Sequence, residues 1–129
     1  MTYSALLLRI SAIYALIGTY IGSHMAGAGA GSYALRPIHA HILLVGWLSL
    51  FAFSAYYKMY EVPKQSKLAF LHVWTAIIGS VGLTLGMYFY NLNPLNLPEV
   101  FTTVFYIVGG STLLLSFALF VLLTFKYSK

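Results

Sequence analysis

Four apolar runs, each long enough to cross a bilayer, leave this 129-residue chain few ways to fold. They cover about residues 3–21, 37–60, 68–90 and 98–127. A hydrocarbon core offers backbone N–H and C=O groups no water, so each run must satisfy its own hydrogen bonds as a helix. The expected architecture is an all-α integral membrane protein: one transmembrane domain over residues 1–129, with four transmembrane helices in an antiparallel bundle. Composition agrees, since 60% of the residues are hydrophobic and 7% charged, far from the balance of a soluble domain. The connector over 61–67 is short, which makes the second and third runs antiparallel neighbours. The first run has no basic segment ahead of it and is too long for a signal-peptide core. It reads as a retained span, despite the small residues Ala26, Gly27 and Ala28 that follow it.

Charge sets the expected orientation. Lys58, Lys64, Lys67, Lys126 and Lys129 share one side with both termini, Arg9 lies nearest that side, and Arg36 alone belongs to the other. The positive-inside rule then places both termini in the cytoplasm. The net charge of +5 is scattered over helix ends with no basic face interleaved with aromatics, so no nucleic-acid partner is expected. The two acids, Glu61 and Glu99, fall in connectors, which leaves no intramembrane carboxylate for a proton relay, a di-iron site or cation antiport. The absence of cysteine excludes disulfides, iron-sulfur clusters, thiolate metal sites and cysteine nucleophiles. Imidazole remains as the soft-metal ligand.

Two of the four histidines, His39 and His41, stand at the mouth of the second run, just after Arg36 and Pro37. Each residue turns an α-helix by about 100°, so their side chains project about 200° apart and face opposite sides. An imidazole beside hydrocarbon needs a hydrogen-bond partner, a metal or a water-lined cavity, which makes both candidates for a functional site. On α-helical spacing His39 shares a face with Leu43, Gly46, Leu50 and Phe53, and His41 shares another with Leu44, Val45, Leu48 and Ala52. Gly46 leaves space beside the His39 stripe for a flat cofactor or a neighbouring helix. His24 opens a glycine-rich connector over 22–35, where it is either a further ligand or a loop residue. In the third run His72, Thr75, Gly79, Gly82 and Gly86 form one stripe, which predicts close approach of another helix or a ligand. Gly18 and Gly22 carry a similar small-residue spacing in the first run. Asn96 or Leu97 is expected to cap the fourth run, with Pro98 opening it. The plainer alternatives are a polar helix start reaching interfacial water for His39 and His41, packing for His72, and headgroup anchoring for Arg36.

The element Pro37-Ile38-His39-Ala40-His41, with Ala55-Tyr56-Tyr57 at the end of its helix and then Leu68-Ala69-Phe70-Leu71-His72-Val73-Trp74, resembles the tenth and eleventh helices of the heme-copper oxidase catalytic subunit. Leu35-Arg36-Pro37-Ile38-His39 is also similar to the heme-ligand helix of the C-type oxidases and their nitric oxide reductase relatives. The resemblance covers about residues 33–90. It implies heme b, with His39 as axial ligand to one heme, His41 to a second, and Arg36 paired with heme propionates; it gives His72 no ligand role. Copper is the alternative metal, with His24, His39 and His41 as its candidate ligands.

The family's catalytic subunit has twelve helices in three arcs of four, and further histidines for its copper. One copy of this chain has neither, nor the proton-channel acids, so dioxygen reduction by a single chain is not expected. Any enzyme activity would be that of an oxidoreductase of this type. Three copies could rebuild the ring, which makes a homo-oligomer, specifically a trimer with hemes between protomers, an expectation. The resulting reading is a heme b redox or electron-transfer protein of the bacterial cytoplasmic membrane with a respiratory-chain partner. The alternatives are an accessory or assembly protein handling heme or copper, and a cofactor-free structural membrane protein.

Overall fold

The computed structural model describes residues 1–28 and 33–128. It contains four helices: α1, Tyr3–Ala28; α2, Leu35–Met59; α3, Lys67–Asn91; and α4, Glu99–Tyr127. All four are long and apolar enough to cross a membrane, and the described residues contain no strand. The architecture is therefore the expected all-helical one, with two differences at the element ends and one inside α2.

Helix α1 continues to Ala28 instead of ending near residue 21, so His24 stands on a helix and not in a connector. Alternating Ala and Gly carry no side chain that obstructs the helix, and continuing the backbone ladder satisfies N–H and C=O groups that a loop would leave to solvent. The rest of the predicted connector, residues 29–32, lies outside the described residues. Pro98 occupies the cap position ahead of α4 instead of its first turn. Before it, Asn93 closes the loop with its own side chain: its Nδ2 donates to the Leu97 carbonyl and its Oδ1 accepts from the Leu97 N–H, both at 2.8 Å. Asn93 and Asn96 adopt positive φ of 37° and 51°, a conformation asparagine tolerates better than most residues.

Helix α2 is not uniform. Between α-helical stretches at Leu35–His41 and Leu50–Met59, residues Ile42–Ser49 form a π-helix. The wider turn keeps Ile38, Ile42, Gly46 and Leu50, four residues apart, on one buried face, where an α-helix would rotate each successive residue by about 40°. His39 and Leu43, placed on that face by α-helical spacing, are only half-buried. The Ser49 hydroxyl donates to the Leu44 carbonyl, five residues back, at 2.8 Å, matching the longer repeat.

The helices pack as two antiparallel pairs. In the α1–α2 pair, Leu43 and Ile42 lie over Gly18, His39 over Gly22, and the Tyr14 ring over Gly46. Tyr14, a residue of the neighbouring helix, thus fills the space that Gly46 leaves. The α3–α4 pair is closer still, backbone against backbone. Gly79 faces Leu113, Gly82 faces Gly109 and Gly86 faces Tyr106. The stripe read from the third run is therefore a helix-packing surface, consistent with small residues driving close association in lipid.

Tyr14 links the pairs by donating its phenol to the Ser80 Oγ of α3 at 3.3 Å. At the end of the bundle that holds both termini, Tyr3 donates to the Lys64 carbonyl at 3.3 Å and Tyr127 to Ser66 Oγ at 3.1 Å. Tyr56 donates to the Leu123 carbonyl at 2.9 Å. The two chain ends and the α2–α3 turn are thereby joined. Two substitutions test the central link. Tyr14→Phe removes one hydrogen bond and should cost about 0.5–1.5 kcal/mol. Gly46→Ala drives a methyl into the Tyr14 ring and should cost about 1–3 kcal/mol. Denaturant unfolding in detergent measures both, and equal, negligible losses would show that Tyr14 does not hold the pairs together.

Candidate functional site

At the end opposite the termini, an apolar cavity of about 770 Å³ lies between α1, the first turns of α2 and the second half of α3. Its α1 wall is the stripe Ile10, Tyr14, Ile17, Ile21 and His24, spaced four and three residues apart along about 20 Å of helix. Ile38 and Ile42 of α2 and Thr84 and Tyr88 of α3 complete its sides. The volume is that of a small-molecule site, and the walls are mostly hydrocarbon and aromatic. Two polar wall groups are already engaged: Thr84 Oγ1 donates to the Ser80 carbonyl at 2.9 Å, and Tyr14 is bonded to Ser80. His24, exposed on the last turns of α1, is the one imidazole on the lining.

The other predicted site residues lie around this end but not in the cavity wall. His39 turns toward α1, where its ring rests on Gly22; a Cβ at Gly22 would stand 2.9 Å from His39 Cε1. Its Nδ1 is buried and has no hydrogen-bond partner. An unpartnered buried imidazole nitrogen is uncommon, because desolvation without a partner costs about 1–3 kcal/mol. His41 faces away. Its Nδ1 lies 2.8 Å from the Pro37 carbonyl, and because a carbonyl only accepts, Nδ1 carries the proton. In the neutral ring Nε2 then keeps its lone pair, the tautomer in which histidine ligates metals. Arg36 is exposed, with its guanidinium 4.5 Å from the centroid of the Tyr33 ring, a cation–π contact.

His72 belongs to the opposite half of the molecule. It is wholly buried, stacked on Phe120 at 5.4 Å and met edge-on by Phe53 at 4.6 Å. Its Nδ1 lies 2.9 Å from the Tyr57 hydroxyl, which also stands 3.4 Å from the Ala69 carbonyl; its Nε2 has no partner. The surroundings are those of a packed core histidine. His72→Ala should cost about 2–4 kcal/mol through the void it leaves and the Tyr57 hydrogen bond it removes. The ultraviolet and visible spectra of the folded fraction should not change.

Sequence reasoning found the three imidazoles of this end but missed Tyr14, Thr84 and Tyr88. The α1 stripe from Ile10 to His24 carries a helical period and was available as a signal. The α3 wall was not, because the cavity forms between helices that are not consecutive in the chain. Among the described residues no three His, Cys, Asp or Glu side chains come close enough to hold a metal ion between them. A heme iron needs only one or two imidazoles from the protein, so the donors here are of the right kind and number for heme, and the apolar cavity beside His24 suits its ring. Compared with known protein families, characterised proteins and solved structures, the chain has no match.

Proposed function

We propose that this chain is a membrane-embedded heme b protein that transfers electrons, related in design to one four-helix arc of the heme-copper oxidase catalytic subunit. The observation that carries the reading is the placement of His24 on the wall of the apolar cavity of about 770 Å³. Heme supplies reversible one-electron chemistry when bound. The chain supplies the rest. His24 offers a ligand nitrogen, and the isoleucine and tyrosine walls exclude water and favour a flat apolar ring. His41, locked by Pro37 with Nε2 outward, offers a ligand to a group shared with a neighbouring copy. That arrangement supports a homo-oligomer, a trimer if three copies restore a twelve-helix ring.

By the distribution of lysines, both termini lie in the cytoplasm of a bacterium and the cavity in the outer half of its inner membrane. The redox partner is a component of the respiratory chain. A second reading, an accessory protein that passes heme or copper to a respiratory complex, is favoured by the outward nitrogen of His41, which a partner protein can reach.

Oxidised and dithionite-reduced optical spectra of the protein purified from heme-replete cells test the proposal. The expected result is a Soret band and reduced α-bands with about one heme per chain. Absence of a Soret band refutes it, and elemental analysis showing copper in place of iron supports the second reading. Because the chain has no native cysteine, single-cysteine variants report topology directly. Ser128→Cys should label only from the cytoplasmic side and Tyr33→Cys only from the other.

A further inference from the structure

The residues around the apolar cavity of about 770 Å³ divide into a closed back and an open side. Ile38 and Ile42 of α2, Tyr14 of α1 and Thr84 of α3 are only 2–7% exposed, so the cavity is sealed toward the middle of the bundle. Tyr14 and Ser80 join α1 to α3 at its floor, 3.3 Å apart. The other side is different. Ile13, Ile17 and Tyr20 of α1 and Val81, Leu85 and Leu92 of α3 line the cavity and are also 39–74% exposed. They are the two lips of a gap between α1 and α3. At about 100° per residue, Ile13, Ile17, Tyr20 and His24 occupy the outer edge of the cavity face of α1, and Ile10, Tyr14 and Ile21 the inner edge. His24 therefore stands on the lip itself. No Asp, Glu, Lys or Arg lies along the cavity lining, and five of the six lip residues fall inside helices long and apolar enough to span a membrane. A mouth onto water would leave six large apolar side chains hydrated, whereas in hydrocarbon their exposure costs nothing.

We infer that the cavity opens sideways into the hydrocarbon of the bilayer and takes its ligand from there, as a site for a membrane-dissolved molecule and not for a water-borne one. Heme b, a flat and mostly apolar macrocycle that partitions into bilayers, belongs to that class. His24, on the outer lip, is the first nitrogen that a ligand arriving from the membrane meets, and Tyr14 and Thr84 at the back limit how far it enters. The inference rests on the heme proposal for the identity of the ligand, and on the exposed lips for its route.

Spin labelling of single-cysteine variants in liposomes tests the route, since the full chain has no native cysteine. Thr84→Cys places a nitroxide on the buried wall of the cavity, and Ile21→Cys is a second reporter on its α1 side. Two positions outside the cavity calibrate them: Leu113→Cys, at the same 6% exposure as Thr84 but packed on Gly79, and Leu114→Cys, 72% exposed on α4. Oxygen concentrates in hydrocarbon and a neutral nickel chelate stays in water. Oxygen should relax the Thr84 label at least fivefold more than the Leu113 label and within twofold of the Leu114 label. The nickel chelate should relax the Thr84 label no more than it does the Leu114 label. Strong relaxation of the Thr84 and Ile21 labels by the nickel chelate would overturn the inference in favour of a water-facing pocket. Labels at both positions as shielded from oxygen as the Leu113 label would overturn it in favour of a sealed cavity. Hemin premixed into the liposome lipid should then broaden the Thr84 signal through its paramagnetic iron. Broadening only when hemin is supplied through the water would overturn the route. No broadening by either supply, with oxygen access retained, would count against the heme proposal alone.

Discussion

Gly109→Ala is expected to destabilise the bundle by about 3 kcal/mol, whereas Gly110→Ala, one residue along the same helix, should leave stability unchanged or raise it slightly. The two substitutions add the same methyl group to the same helix and carry the same gain in helix propensity, so their difference isolates packing. At Gly109 the new Cβ would press into the Gly82 carbonyl carbon and stand 2.5 Å from the Leu83 nitrogen. Both are backbone atoms, which cannot move aside. The helices must separate, and the neighbouring contacts of Gly79 with Leu113 and Gly86 with Tyr106 open with them. At Gly110 the nearest atom to a Cβ is Leu83 Cδ1 at 3.6 Å, ordinary contact with a flexible side chain. Separation at Gly109 also propagates toward the termini, because Phe120 on α4 stacks against His72 on α3 at 5.4 Å and Leu123 accepts from Tyr56. Unfolding by sodium dodecyl sulfate, followed by far-ultraviolet circular dichroism, measures the difference. Equal midpoints for the two variants would mean that the backbone contact does not hold α3 and α4 together.

That contact was legible in the sequence as a stripe, though its occupant was not. Gly79, Gly82 and Gly86 announce a close approach at helical spacing, and either a helix or a ligand satisfies that statement. The four long helices were legible for a stronger reason: an apolar run of spanning length would have no choice in hydrocarbon but to be helical. The opposed directions of His39 and His41 follow from the turn per residue, and they remain opposed because both precede the π-helical stretch at Ile42–Ser49. Beyond that point the face assignment drifted, since a one-dimensional pattern assumes one period and Gly46 marks where the period changes to admit the Tyr14 ring. His24 was misplaced in a loop for a related reason. Glycine-alanine alternation reads as a connector, but its small side chains do not obstruct a helix that continues to Ala28. The cavity itself had no sequence signature, because α1, α2 and α3 contribute its walls from residues as far apart as Ile10 and Leu92.

The second large effect is on the proposed heme, and the three histidines at the end opposite the termini should differ in what they remove. His24→Ala should lower heme occupancy of the isolated chain at least tenfold, since His24 alone among the imidazoles lies on the cavity wall. His39→Ala should act differently. Its ring lies on Gly22, about 200° around α1 from His24, so its loss should leave the heme of a dissociated chain in place. Gly22→Ala should likewise spare that heme, because its methyl meets the His39 ring at 2.9 Å on the face of α1 turned away from the cavity. His41→Ala should spare heme in a dissociated chain and remove only heme held between copies, so its effect should track the mass of the complex in mild detergent. Val81→Phe, which adds bulk to the cavity from α3, should reduce occupancy although Val81 can donate to no metal. Full occupancy in both His24→Ala and Val81→Phe would place the heme outside this cavity and refute the assignment. Loss of heme from the dissociated chain in His41→Ala would move the ligand role from His24 to the outward face of α2.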